Sequence, residues 1–189
     1  MHTSIRKEPD SVADQLAFQS PVRSADVNEG PLTLVDLTAT SSQTLVRGAE
    51  SGLTPSFGHA TRRDDGVLAA ATRPDEWTLI GPLGDAGTIA SSVTSEGFVT
   101  VIDQTHSRAR FRLAGDTAAQ ALEKVCSIDL GDHMTPNGAV VSASVAKVTC
   151  DVLRDDVNST RSYLVICDRS FADYLFSALA DAGAEFGLR

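Results

Sequence analysis

Glu76-Trp77-Thr78-Leu79-Ile80-Gly81-Pro82, followed by Leu83-Gly84-Asp85-Ala86-Gly87-Thr88-Ile89-Ala90, is the stretch that decides the fold, because the chain writes it twice. Laid without gaps on residues 162–183, an offset of 86, Trp77 falls on Tyr163, Leu79 on Val165 and Ile80 on Ile166. Ile89 then falls on Leu175, Val93 on Leu179 and Gly97 on Gly183. Four of the 22 paired residues are identical, so the apolar pattern repeats rather than the residues. Conserving apolar positions is what a duplicated core requires.

A second echo sits outside the first. Thr33-Leu34-Val35-Asp36-Leu37-Thr38 matches Thr100-Val101-Ile102-Asp103-Gln104-Thr105, an offset of 67, and each is followed by a polar turn, a short strand and a glycine, Gly48 or Gly115. Two copies are too few for a solenoid, which needs three or more. The expected fold is therefore α+β, with two duplicated split β-α-β units and helices packed on antiparallel sheet. The pseudo-repeat spans about 31–115 and 98–187 within a single domain, 31–189, and one helix is missing from the first copy.

Working outward, Leu32–Leu37, Gln43–Arg47, Val67–Thr72, Glu76–Ile80, Phe98–Ile102, Ala109–Leu113 and Tyr163–Cys167 read as strands, rich in β-branched and apolar residues. Arg73-Pro74-Asp75 joins two of them as a tight hairpin turn, since proline fixes φ. Val140–Val145 and Val148–Leu153 are strand material, as one bent strand or two. Residues 49–66 and 127–137 read as loops. Helices are expected over 84–96, from Asp116 as N-cap onward, and from Ser170, where Ser170-x-x-Asp173 is a capping-box pattern. Residues 1–30 lack periodicity and read as a flexible N-terminal arm with a short helix at Val12–Phe18.

The chain has 189 residues, 42% of them apolar, and a net charge of −9. That charge repels phosphate backbones and anionic headgroups, so neither nucleic acid nor membrane is an expected partner. No apolar run is long enough to span a bilayer, and Met1 to Gly30 lacks a signal-peptide core, so the cytoplasm is the expected location. Cys126, Cys150 and Cys167 lie in or beside apolar runs with no C-x-x-C spacing, which suits buried reduced thiols.

Chemical motifs are mostly absent. Gly81-Pro82-Leu83-Gly84-Asp85 occupies the place of a phosphate cradle, but Pro82 lacks a donor and Asp85 repels phosphate, so it reads as a capping loop. His2, His59, His106 and His133 share no metal-ligand spacing. Asp132-His133 could form an acid–base pair, though a solvated loop pair is the blander reading. Asp36 and Asp103 either grip a ligand or close Asx turns onto their own backbone, the latter preferred. Arg108, Arg110 and Arg112 alternate along one strand and share a face. That face is either solvated and charge-guarded or a docking strip for an acidic partner, together with the loop 127–137.

Several phrases carry a resemblance. Pro74-Asp75-Glu76-Trp77-Thr78-Leu79-Ile80-Gly81-Pro82 resembles a Pro-Asp-Glu-Trp-hydrophobic-Gly-Pro signature. Ile102-Asp103-Gln104-Thr105, Phe111-Arg112-Leu113-Ala114-Gly115, Cys126-Ser127-Ile128-Asp129-Leu130, Val145-Ala146-Lys147-Val148 and Arg169-Ser170-Phe171-Ala172-Asp173-Tyr174-Leu175 follow in order. From about Gln43 to Phe186 the chain is similar to the gamma subunit of heterotetrameric sarcosine oxidase. The resemblance implies an aminomethyltransferase-like fold, related to the T-protein of the glycine cleavage system and its folate-binding domain. It implies a complex that oxidises sarcosine to glycine and formaldehyde, forming hydrogen peroxide, or passes the one-carbon unit to tetrahydrofolate. Alpha, beta and delta subunits would be the partners and would carry the FAD, FMN, NAD and zinc. The gamma subunit would be non-catalytic, with no catalytic, cofactor-binding or metal residue in this chain. The alternative is a free-standing tetrahydrofolate-binding or one-carbon-handling domain of the same fold. The Lys-Gly-Cys-hydrophobic signature of its iron–sulfur repair relatives is not in the sequence.

Overall fold

The computed structural model describes residues 19–24, 26–93 and 97–188, so the expected helix at Val12–Phe18 lies outside the described residues. Among the described residues ten strands and three α-helices follow in chain order: β1 Leu32–Asp36, β2 Ser41–Arg47, β3 Ala60–Arg62, β4 Leu68–Arg73, β5 Glu76–Pro82, α1 Ala86–Ser91, β6 Thr100–Asp103, β7 Arg108–Gly115, α2 Ala118–Glu123, β8 Val140–Val145, β9 Val148–Arg154, β10 Ser162–Asp168 and α3 Ala172–Gly183. The strands form two antiparallel five-stranded sheets, ordered β1-β7-β10-β9-β8 and β3-β4-β5-β2-β6.

The two orders are one order. Read from one edge, β6-β2-β5-β4-β3 corresponds strand for strand to β1-β7-β10-β9-β8. The edge strands are exchanged: β1 precedes the first copy yet pairs with β7 of the second, while β6 precedes the second copy yet pairs with β2 of the first. Registers agree as well. Leu34 faces Leu113 and Val46 faces Val101, and the pairs correspond at an offset of 67, Leu34 to Val101 and Val46 to Leu113. Gly48 and Gly115 mark the same spot in each copy, at φ 141 and 143. A Cβ on Gly48 would lie 2.7 Å from the Phe98 carbonyl oxygen, and one on Gly115 closer still to that of Pro31, so only glycine lets the exchanged strand enter.

Strand alternation then builds four layers. One face of the β1 sheet, with Phe111, Leu113, Tyr163 and Val165, packs against Leu122, Leu175, Phe176 and Leu179 of α2 and α3. Val46, Leu79 and Trp77 of the other sheet pack against Ile89 of α1. The remaining faces meet each other through Leu68, Ala70 and Ile80 on one side and Leu153, Leu164 and Ile166 on the other. The helices expected from the sequence therefore lie outside two stacked sheets.

Three local expectations change, and one left open is decided. The segment 49–66 contains β3. Residues 140–154 are two strands, joined by Ala146-Lys147 at positive φ, the backbone of a tight two-residue hairpin. Thr117, not Asp116, stands at the N-cap of α2, and no side chain bonds there. Nor does Ser170 cap α3, which starts after a 3₁₀ turn at Arg169–Phe171. The Asp173 carboxylate instead accepts the Arg23 backbone N–H at 2.9 Å and its guanidinium at 2.6 Å. Further along, Val27 and Leu34 exchange both backbone hydrogen bonds, at 2.9 and 2.6 Å, laying the segment before β1 along its outer edge.

Candidate functional site

The polar centre of the molecule is the seam between the sheets, and Arg110 is its middle. Because β7 alternates, Ala109, Phe111 and Leu113 go to the helical core while Arg108, Arg110 and Arg112 turn to the opposite sheet. The expectation of a solvated face or docking strip fails for this reason: a second sheet covers it. Arg110 is fully buried. Its Nε donates to Ser41 Oγ at 2.8 Å, and its Nη2 donates to the carbonyls of Thr38 at 2.9 Å, Ser41 at 3.0 Å and Thr105 at 3.3 Å. Its Nη1 reaches Gln43 Oε1 at 3.4 Å and the Arg108 carbonyl at 3.3 Å. Burial pushes the guanidinium down to about 10, while the nearby carboxylates of Asp36 and Asp103 pull it back up, so it stays charged at neutral pH.

Arg110 and Gln43 are themselves repeat mates, 67 apart, and the bonds around them are reciprocal. The Leu37 N–H donates to the Arg110 carbonyl at 2.9 Å and the Arg110 N–H to Thr38 Oγ1 at 3.1 Å. In the other copy the Gln104 N–H donates to the Gln43 carbonyl at 2.8 Å and the Gln43 N–H to Thr105 Oγ1 at 3.0 Å. Asp36 and Asp103 close the set as Asx turns, each accepting the backbone N–H two residues on, Thr38 or Thr105, at 2.8 Å. Hydrogen bonds from Thr105 hold the Asp103 carboxyl below its ordinary value. The preferred structural reading of both aspartates is therefore the observed one.

Beside Arg110 the seam opens as a cleft of about 340 Å³, lined by charged side chains including Arg47, Arg73, Glu76, Arg108 and Asp151. Glu76 is its buried anion. It accepts from Arg73 Nη1 at 2.6 Å, from Arg47 Nε at 3.0 Å and from Thr72 Oγ1 at 3.3 Å. Burial alone would raise its carboxyl, but the hydrogen bonds and charges of Arg47 and Arg73 bring it below its ordinary value. Arg108 bridges Asp151, at 3.4 Å, and Asp168. On the far side Arg112 donates to Asp155 Oδ2 at 2.7 Å and Ser162 Oγ at 2.7 Å, and Arg62 reaches the same carboxylate at 2.6 Å.

These roles explain the signature chemically. Pro74 and Asp75 make the two-residue turn of the β4–β5 hairpin, with Asp75 at φ 59, the left-handed second corner of a type II turn. Glu76 anchors two arginines. Trp77 points the other way and donates its indole N–H to the Pro55 carbonyl at 2.8 Å. Its repeat mate Tyr163 does the same for the Leu130 carbonyl at 3.3 Å, so in each copy an aromatic tip pins a loop. Asp151 and Asp155 are seam residues that sequence reasoning missed. Each sits within or just past a strand otherwise read as core, and that conflict was the available signal.

The other sequence candidates are dispersed. His133 lies 3.3 Å from Asp129, not Asp132, on an exposed loop. Asp132 instead takes hydrogen bonds from Arg154 and Arg161, which hold its carboxyl below the ordinary range. All three cysteines are buried and free, and burial pushes the Cys150 thiol up to about 12 and that of Cys167 to about 11. The Gly81–Asp85 loop opens a six-residue helix without a side-chain cap. Among the described residues no three His, Cys, Asp or Glu side chains stand close enough to hold a metal ion. Among the described residues, the seam's carboxylates Glu76, Asp151 and Asp155 pair with arginines, while Arg110 is held by a hydroxyl and backbone carbonyls.

The fold has solved counterparts. One is the heterotetrameric sarcosine oxidase of Corynebacterium sp. U-96, in complex with pyrrole 2-carboxylate, at TM-score 0.69 and 22% identity over 84% of this chain and 87% of that one. Another is the glycine cleavage system aminomethyltransferase T of Bartonella henselae, at TM-score 0.58 and 14% identity. The match there covers 77% of this chain but only 44% of the longer one. At these identities the likeness establishes the fold alone. Among curated proteins none matches the sequence. A family model does: it spans residues 65–185, from before the Glu76 anchor to the end of α3, and by it the chain belongs to the sarcosine oxidase, gamma subunit family.

Proposed function

We propose that this chain is the non-catalytic gamma subunit of a flavin-dependent heterotetrameric sarcosine oxidase, and that its work is to support assembly of the complex. The carrying observation is the family match across residues 65–185. The seam is consistent with it, because its charged side chains are engaged within the fold, Glu76 and Asp155 by arginines and Arg110 by Ser41 and backbone carbonyls. In this reading the alpha, beta and delta subunits are the partners and hold the FAD, FMN, NAD and zinc. The complex converts sarcosine to glycine, consuming oxygen and releasing hydrogen peroxide, with the methyl carbon leaving as formaldehyde or as 5,10-methylenetetrahydrofolate. It works in the cytoplasm; among the described residues no helix is long and apolar enough to cross a membrane.

The test is co-purification. Tagged chain, expressed with the subunits encoded beside it, should bring them down with bound flavin and sarcosine-dependent peroxide formation. A chain that elutes alone and colourless refutes the proposal. Binding of tetrahydrofolate by the isolated chain in calorimetry would favour the free-standing folate domain instead.

A further inference from the structure

The duplication makes a comparison possible that neither sheet allows alone. In an antiparallel pair, alternate residues of an edge strand turn their N–H and C=O groups toward the neighbour and away from it. On β1 the outward residues are Leu34 and Asp36, and both are used. Leu34 exchanges two backbone bonds with Val27, and the Asp36 N–H donates to Asp26 Oδ1 at 2.7 Å. The chain's own segment before β1 thus finishes that sheet.

The mates of Leu34 and Asp36 are Val101 and Asp103 on β6. Gln104 donates inward to Gln43, so Val101 and Asp103 face outward. Among the described residues neither has a backbone partner on that side. Two large apolar side chains flank this bare edge, Phe98 at 88% exposure and Ile102 at 46%. Phe98 stands where the other copy has Pro31, and an aromatic ring left almost wholly in water beside unpaired backbone groups is a feature that proteins ordinarily cover.

We infer that the β6 edge is a docking site for an extended segment of a partner subunit, which adds as a sixth, antiparallel strand to the β3-β4-β5-β2-β6 sheet. The inference rests on the subunit reading above. The occupied β1 edge supplies the template: an apolar residue opposite Val101, as Val27 lies opposite Leu34, and an acceptor beside it for the Asp103 N–H. Main-chain bonds provide the affinity, and apolar side chains over Phe98 and Ile102 the selectivity.

The test uses the full complex. Val101→Pro removes an outward N–H without touching the β2 ladder, and Phe98→Asp charges a side chain that nothing in the fold covers. Each should weaken retention of the partner subunits by about tenfold or more, while the purified variants keep the circular dichroism spectrum of the parent. Hydrogen exchange needs no substitution: the Val101 and Asp103 amides should become protected on assembly, whereas that of Leu34 is protected in free chain and complex alike. Wild-type retention by both variants, or edge amides equally exposed in the complex, overturns this inference and leaves the subunit reading standing. Protection in the free chain with dimer formation overturns it in favour of two copies pairing edge to edge. If the parent chain retains no partners, the subunit reading falls and this inference with it.

Discussion

Replacing Arg110 by alanine should destabilise the chain by about 3–4 kcal/mol, a large part of the 5–15 kcal/mol that holds a domain together. The figure comes from three short bonds, to Ser41 Oγ at 2.8 Å, the Thr38 carbonyl at 2.9 Å and the Ser41 carbonyl at 3.0 Å. Each is a charge-assisted bond worth about 1–2 kcal/mol; the substitution takes this donor from two buried carbonyls, while Ser41 Oγ keeps its bond to the Leu37 carbonyl at 2.6 Å and falls at the low end. The vacated volume adds roughly 1–2 kcal/mol. Removing a buried charge takes back an amount of the same order, for the desolvation that lowers this guanidinium to about 10 also opposes folding. Methionine fills most of the volume without restoring a donor, so Arg110→Met should recover only about 1 kcal/mol of the loss. Arg108→Ala and Arg112→Ala should cost about 1 kcal/mol each, because water reaches both side chains, 21% and 18% exposed, and can replace their partners. Urea unfolding, followed by circular dichroism and by fluorescence of the single tryptophan, gives the numbers where the two probes coincide. An Arg110→Ala midpoint within 1 kcal/mol of the parent, or an Arg108→Ala cost as large as that of Arg110→Ala, refutes the reasoning.

Gly115→Ala and Gly48→Ala should each cost about 3 kcal/mol or more, with Gly115 the worse because its Cβ would come nearer a backbone carbonyl; equal tolerance of alanine in thermal unfolding would refute the strand-entry role. Acid should unfold the protein partly through Glu76. Its carboxyl sits below the ordinary 4.5 in the folded state, so its stabilising share is complete above about pH 4.5 and disappears as pH falls through the lower, folded value. Glu76→Gln should therefore cost about 2 kcal/mol at pH 7 and progressively less toward pH 3, and a difference that stays constant with pH contradicts this assignment.

How far the sequence carries the fold can be judged strand by strand. The β4–β5 hairpin, the aromatic mates Trp77 and Tyr163, and the Asx turns at Asp36 and Asp103 were all legible, because each depends on a local pattern: proline at a turn corner, alternation, and an aspartate two residues before a threonine. The capping box at Ser170 was also a local pattern, and it failed because Asp173 found Arg23, 150 residues away, as a stronger partner. The arginine triplet failed for a more general reason. A period of two says which residues share a face but not what lies on the other side of it. On β7 the polar face meets another sheet instead of water, and burial turns a surface-looking stripe into the centre of the molecule.

The two different offsets carried information that the local patterns lacked. The mates Asp36–Asp103 and Gly48–Gly115 differ by 67, whereas Trp77–Tyr163 differ by 86. The step falls between Gly115 and Ser162, which is where the second copy gains α2 and the loop 127–137, while the first has only a 3₁₀ turn at Ala49–Ser51. An insertion there leaves the exchanged edge strands and the Arg110–Gln43 centre untouched, since all of these lie before it in both copies. The duplicated bonds around Thr38 and Thr105 require each copy to lend its first strand to the other, so neither copy can complete its sheet or satisfy Arg110 alone. This interlock accounts for the chain's buried charge in terms of folding. The functional question then passes to the surfaces where the two copies differ: the helix and loop present in one only, and the sheet edge covered in one only.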